Sequence, residues 1–104
     1  MWWVMSHDTP NPSRFGRPRF TTRRDHLLAE IDALALELDV AAEATASGRV
    51  PISARADYLR ARDAHHRAAI AWMGASSREE LTQVSDALRQ CRMALDSSRA
   101  LMKR

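Results

Sequence analysis

Mainly apolar residues, with Thr45, Asp63, His66 and Ser98 among them, return along most of this chain at alternating intervals of four and three. The first run is Leu27, Ile31, Leu34, Leu38, Ala41 and Thr45. The second is Ile52, Ala56, Leu59, Asp63, His66, Ile70 and Met73. The third is Leu81, Val84, Leu88, Cys91, Leu95, Ser98 and Met102, widened by Ala87, Ala94 and Leu101. A mean spacing of about 3.5 residues holds one side of an α-helix in register with a neighbour. Three helices are therefore expected, over about residues 22–47, 52–73 and 77–102. The middle helix carries a second stripe, Tyr58, Ala61, His65, Ala68 and Trp72. Two contact faces suit a helix that touches both of its neighbours.

The punctuation agrees with three segments. Thr22-x-x-Asp25 imitates a capping box and marks a start. Ser47-Gly48 marks an end, with Gly48 suited to the left-handed position that follows a helix. Pro51 is acceptable in the first turn, where its missing N–H would have had no helical partner. Gly74 reads as the next stop, and Ser76-x-x-Glu79 or Ser77-x-x-Glu80 as the next start. Connections this short make sequential helices antiparallel. The expected fold is all-α: an antiparallel three-helix bundle of helical hairpins with coiled-coil-like heptad packing, over residues 22–104. Residues 1–21 lack periodicity and carry Pro10, Pro12, Pro18 and Gly16, which reads as a disordered basic arm.

Composition changes this picture little. Ala, Leu and Arg dominate and favour helix. Lys103 is the only lysine, a bias toward Arg that suggests a GC-rich, bacterial coding sequence. The basicity is local: Arg14, Arg17, Arg19, Arg23 and Arg24 stand against Asp8 in the first 24 residues, and the remainder is nearly neutral. The single cysteine, Cys91, excludes an internal disulfide and is compatible with a reducing compartment. No apolar run reaches the ~18 residues needed to span a bilayer. Met1-Trp-Trp-Val-Met5 is too short for a signal-peptide core, and Met5 is an alternative start. A cytoplasmic protein without a cofactor is the expectation.

Candidate chemistry is sparse. Asp63 and His66 form an i, i+3 polar pair on the second seam, placed to orient an imidazole or to fix register. A zinc site needs three or four ligands. In a hairpin centred near residue 75, Cys91 falls roughly 10 Å along the axis from His66. Cys91 reads instead as a small core residue. Adjacent His65 and His66 point about 100° apart and do not chelate. His7 and His26 stand alone.

The arm interleaves cations and aromatics as Arg14-Phe15-Gly16-Arg17-Pro18-Arg19-Phe20, followed by Arg23-Arg24. Gly16-Arg17-Pro18 resembles the centre of an AT-hook, with Phe15 where that motif's first Arg belongs. The resemblance implies minor-groove DNA contact, and the charge alone allows salt-sensitive phosphate binding. A solubilising tail has the same composition. Trp72-Met73-Gly74 in an interhelical turn resembles the Trp-Xaa-Gly turn of the small helical substrates of type VII secretion. That family's single hairpin and its C-terminal Tyr-x-x-x-Asp/Glu signal have no counterpart here. Trp2 and Trp3 are residue types that favour a membrane interface.

Helix 1 also bears Ala29, Ala33, Leu36, Val40 and Ala44 opposite its seam, between acidic residues on either side. Such a stripe is either plain helix-forming surface or a second contact face. The sequence therefore points to a small non-enzymatic interaction or scaffolding protein. It would act through Ala29, Ala33, Leu36 and Val40 on a protein partner or on a second copy. The alternatives are nucleic-acid binding through Arg14, Arg17, Arg19, Arg23 and Arg24, and a type VII secretion-like role.

Overall fold

The computed structural model describes residues 17–103. Three helices pack against one another: α1 (Arg17–Thr45), α2 (Ile52–Gly74) and α3 (Arg78–Met102). Among the described residues there is no strand. Ties between α1 and α2 join residue 24 to 72, 31 to 65 and 45 to 55, so these helices run antiparallel. Ser98 reaches back to Ala54, so α2 and α3 are antiparallel as well, with partner numbers summing to slightly more than the 150 of a hairpin centred at residue 75. Helices α1 and α3 then run parallel, with Arg23 beside Thr82 and Glu37 beside Arg92. The α2–α3 interface is the most extensive.

The core comes from the expected stripes of α1 and α3. Leu27, Ile31, Leu34, Leu38 and Ala41 are buried on α1, and Leu81, Val84, Leu88, Cys91 and Leu95 on α3. The two hydroxyls on these stripes are also buried. Thr45 donates to the Ala41 carbonyl at 2.9 Å, and Ser98 donates to the Ala54 carbonyl of α2 at 2.8 Å. Each hydrogen bond removes the cost of an unpaired buried polar group. No buried side-chain nitrogen or oxygen lacks a partner among the described residues.

Helix α2 overturns the expectation. Its buried residues are Ala54, Ala61, Ala64 and Ala68, while the stripe read as its seam lies outside. Ile52 is 88% exposed, Met73 68% and Ile70 54%, and Ala56, Leu59, Asp63 and His66 are exposed too. The second stripe, from Tyr58 to Trp72, is the one that meets the core. Alanine explains the choice. Facing α3's leucines with methyl groups lets the two backbones approach closely, and the leucines fill the space.

The helix ends differ in detail. Helix α1 begins at Arg17 rather than at Thr22, because Pro18 fits a first turn and Phe20 packs against the core. Residues 17–21 thus belong to the bundle, and the rest of the expected arm lies outside the described residues. Helix α1 ends at Thr45, before Ser47, and Gly48 has no positive φ. Ser77 caps α3 as expected: its hydroxyl accepts from the Glu80 N–H at 3.2 Å. The Glu80 carboxylate accepts in turn from the Ser76 N–H at 2.8 Å.

Candidate interaction surfaces

Two arginines lock α1 to α2. Arg24 on α1 donates to the carbonyls of Trp72 and Ala75, each at 2.9 Å, where α2 ends. Its guanidinium lies 4.0 Å from the centre of the Trp72 ring. The Trp72 indole N–H returns a bond to the Arg24 carbonyl at 2.8 Å. At the other end, Arg55 on α2 donates to the Thr45 carbonyl at 2.8 Å, where α1 ends. Each helix therefore lends a cation to its neighbour's C-terminus, where unpaired carbonyls and the helix dipole favour positive charge. Between them, the His65 imidazole donates from Nε2 to the Ile31 carbonyl at 2.8 Å. These contacts explain why the Trp72 stripe faces inward.

The residues singled out in the sequence separate accordingly. Asp63 and His66 do not form a seam pair: both are exposed on the outer side of α2, and Asp63 pairs with Arg67 at 3.3 Å. Among the described residues, the histidine with a structural partner is His65. Its place on the second stripe was the available signal. Cys91 is fully buried, and burial pushes its thiol pKa up, so it is a core residue. Among the described residues, no group of three His, Cys, Asp or Glu side chains could hold a metal ion.

The arginines proposed to contact nucleic acid also divide. Arg14 lies outside the described residues, and Arg17 opens α1. Arg24 is committed to Trp72 and Ala75. Arg19 and Arg23 border a recess of about 590 Å³ at the end of the bundle, with Phe20, Ser76, Ser77, Arg78 and Leu81. Neither they nor Arg78 pairs with a carboxylate among the described residues. The start of α3, where N–H groups point outward, lies at the same place. Glu80, bound to Ser76 there, supplies an opposing charge.

One charge cluster is satisfied within the fold. Glu37 accepts from Arg92 at 2.7 and 2.9 Å and from Arg99 at 2.8 Å, joining α1 to α3. The Arg92 hydrogen bond is the main cause that holds the Glu37 carboxyl below its ordinary pKa; burial opposes it as the next largest effect, and Arg99 adds to the lowering. A shallow trough of about 430 Å³ runs between α2 and α3, floored by Ala64 and Ala94 and edged by Arg60, Arg67 and Met93.

Two outward stripes are mainly apolar. On α1, Leu36 is 69% and Val40 67% exposed, with Ala29, Ala33 and Ala44 also exposed beside them. On α2 the outward stripe from Ile52 to Met73 is the larger surface, and sequence reasoning mistook it for core. No described helix is long and apolar enough to cross a membrane. No family model, curated protein or solved structure matches the chain.

Proposed function

We propose that this protein is a small helical interaction module that binds through the outer faces of α1 and α2. One observation carries the reading: α2 turns its alanines inward and its large aliphatic residues outward. Burying an Ile, Leu or Met side chain is worth about 1.5–3 kcal/mol relative to leaving it in water. A helix that presents Ile52, Leu59, Ile70 and Met73 on one outer stripe is arranged to be covered. The stripe on α1 around Leu36 and Val40 supports the same reading.

Cross-linking and affinity capture with the full chain test it. The chain should recover a defined partner, either itself or another protein. The double variants Leu36→Arg/Val40→Arg and Leu59→Glu/Ile70→Glu should lose that partner while keeping wild-type helicity. Equal recovery by the wild type and both variants would reject the reading.

The recess at the start of α1 and α3 favours a second reading, phosphate-backbone binding by Arg19, Arg23 and Arg78. Oligonucleotide binding should then fall steeply with salt. It should also be lost in the triple Ala variant of those three residues.

A further inference from the structure

We infer that the partner is a second copy of this chain, with the outer face of α1 in one copy seated on the outer face of α2 in the next. The inference rests on the contact-surface reading above and adds an occupant, which charge identifies. From residue 25 to the end of α1 the charged side chains are Asp25, Glu30, Asp32, Glu37, Asp39 and Glu43, with no Lys or Arg among them. At 100° per residue, Asp25, Asp32, Asp39 and Glu43 flank one side of the Ala29–Ala33–Leu36–Val40–Ala44 stripe. Glu30 and Glu37 flank the other, and Glu37 is already paired with Arg92 and Arg99.

Helix α2 shows the opposite pattern. Arg55 and Arg62 flank one side of its outer stripe, and Arg60 and Arg67 flank the other. All four are exposed. Asp57 pairs with Arg60 at 3.2 Å and Asp63 with Arg67 at 3.3 Å, and Arg55 also donates to the Thr45 carbonyl, so four arginines against two aspartates leave the helix net positive. An α1–α1 contact would oppose acid rims, and an α2–α2 contact would oppose arginine rims. Only α1 on α2 places opposite charges along both edges of a mainly apolar seam, interrupted on α2 by Asp63 and His66, the arrangement that sets partner choice between paired helices. The lengths are compatible: Ala29 to Ala44 spans about 22 Å and Ile52 to Met73 about 32 Å at helical rise. The α1 stripe supplies mostly small residues, and the α2 stripe supplies the large ones. Helix α3 has no comparable face, since its only large exposed apolar residue is Met93. An anionic membrane would suit the arginine rim of α2 but would be repelled by the acid rim of α1, whereas a second copy satisfies both.

The contact pairs unlike faces, so it either is reciprocated in a two-fold dimer or runs head-to-tail, extending or closing into a ring. Light scattering on the full chain tests this. The wild type should exceed one chain in mass, rising with concentration and falling as salt screens the rims. The Leu36→Arg/Val40→Arg variant retains only the α2 face, and Leu59→Glu/Ile70→Glu retains only the α1 face. Each alone should stay at one chain, and an equimolar mixture should form a two-chain species and stop there. A wild type of single-chain mass at every concentration overturns the inference. So does a mixture that does not associate, or a Leu36→Arg/Val40→Arg variant that still self-associates. Sedimentation of a monomeric wild type with anionic vesicles would also overturn it and identify a membrane as the occupant of α2. If a different protein is captured in a face-dependent way while the chain stays monomeric, self-association fails and the broader contact-surface reading survives.

Discussion

Helices α2 and α3 are the two arms of one hairpin, and they treat their apolar residues in opposite ways. Helix α3 buries Leu81, Val84, Leu88, Cys91 and Leu95 and leaves mainly polar residues outside. Helix α2 buries alanines and exposes Ile52, Leu59, Ile70 and Met73. The interface between them is thus built from large residues on one side and near-bare backbone on the other. The difference places the large buried apolar side chains of the hairpin on α3 and its large exposed ones mainly on α2. Helix α3 spends its apolar surface on the core, and α2 keeps its own for the exterior.

Substitutions can break or sharpen that contrast. The largest effect should come from α3: Leu95→Ala removes a fully buried side chain and should cost about 2–5 kcal/mol in denaturant unfolding. On the inner face of α2, Ala68→Leu should destabilise by about 1–3 kcal/mol, because a fully buried alanine leaves no room for added methylenes. Stabilisation by that change would show that the α2–α3 interface is not close-packed. Replacing Arg24 with Met should cost about 1–2 kcal/mol, since the carbonyls of Trp72 and Ala75 lose a charged donor. On the outer face of α2, Ile70→Gln should move the stability of the dilute monomer by less than about 0.5 kcal/mol. A loss comparable to that of Leu95→Ala would place Ile70 in the folding core and end the contrast.

A pH titration bears on the α1–α3 side of the same bundle. Glu37 has a lowered pKa in the folded state, so its contribution to stability is complete above the ordinary carboxylate range. That contribution is lost as pH falls through the lowered value. Urea midpoints should therefore decline on acidification, and Glu37→Gln should flatten part of the decline. An identical acid limb in the variant would show that the Arg92–Glu37–Arg99 cluster is energetically silent.

Much of the fold was legible before any coordinates. The α1 stripe from Leu27 to Ala41 and the α3 stripe from Leu81 to Leu95 are buried as their spacing implies, because each is the larger apolar stripe on its helix. The Ser77 cap was readable because a hydroxyl three residues ahead of a glutamate satisfies N–H groups that every helix start leaves open. The outer stripe of α1 at Ala29, Ala33, Leu36 and Val40 was also placed correctly on the surface. Helix α2 was misread because it has two stripes at the same spacing. Hydrophobicity favoured the one with Ile, Leu and Met, which made Asp63 and His66 look like polar seam residues.

By itself, then, the sequence determined that there are three helices, roughly where each begins and ends, and which faces of α1 and α3 turn inward. These follow from local periodicity and capping, which act within a few residues. The rotation of α2 about its own axis was decided only in the tertiary structure. It depends on how closely an alanine face approaches the leucines of α3. It also depends on bonds from Arg24 to Trp72, Arg55 to Thr45 and His65 to Ile31 across long sequence separations. No pattern within the helix encodes those distances, and they turn its most hydrophobic stripe toward the exterior.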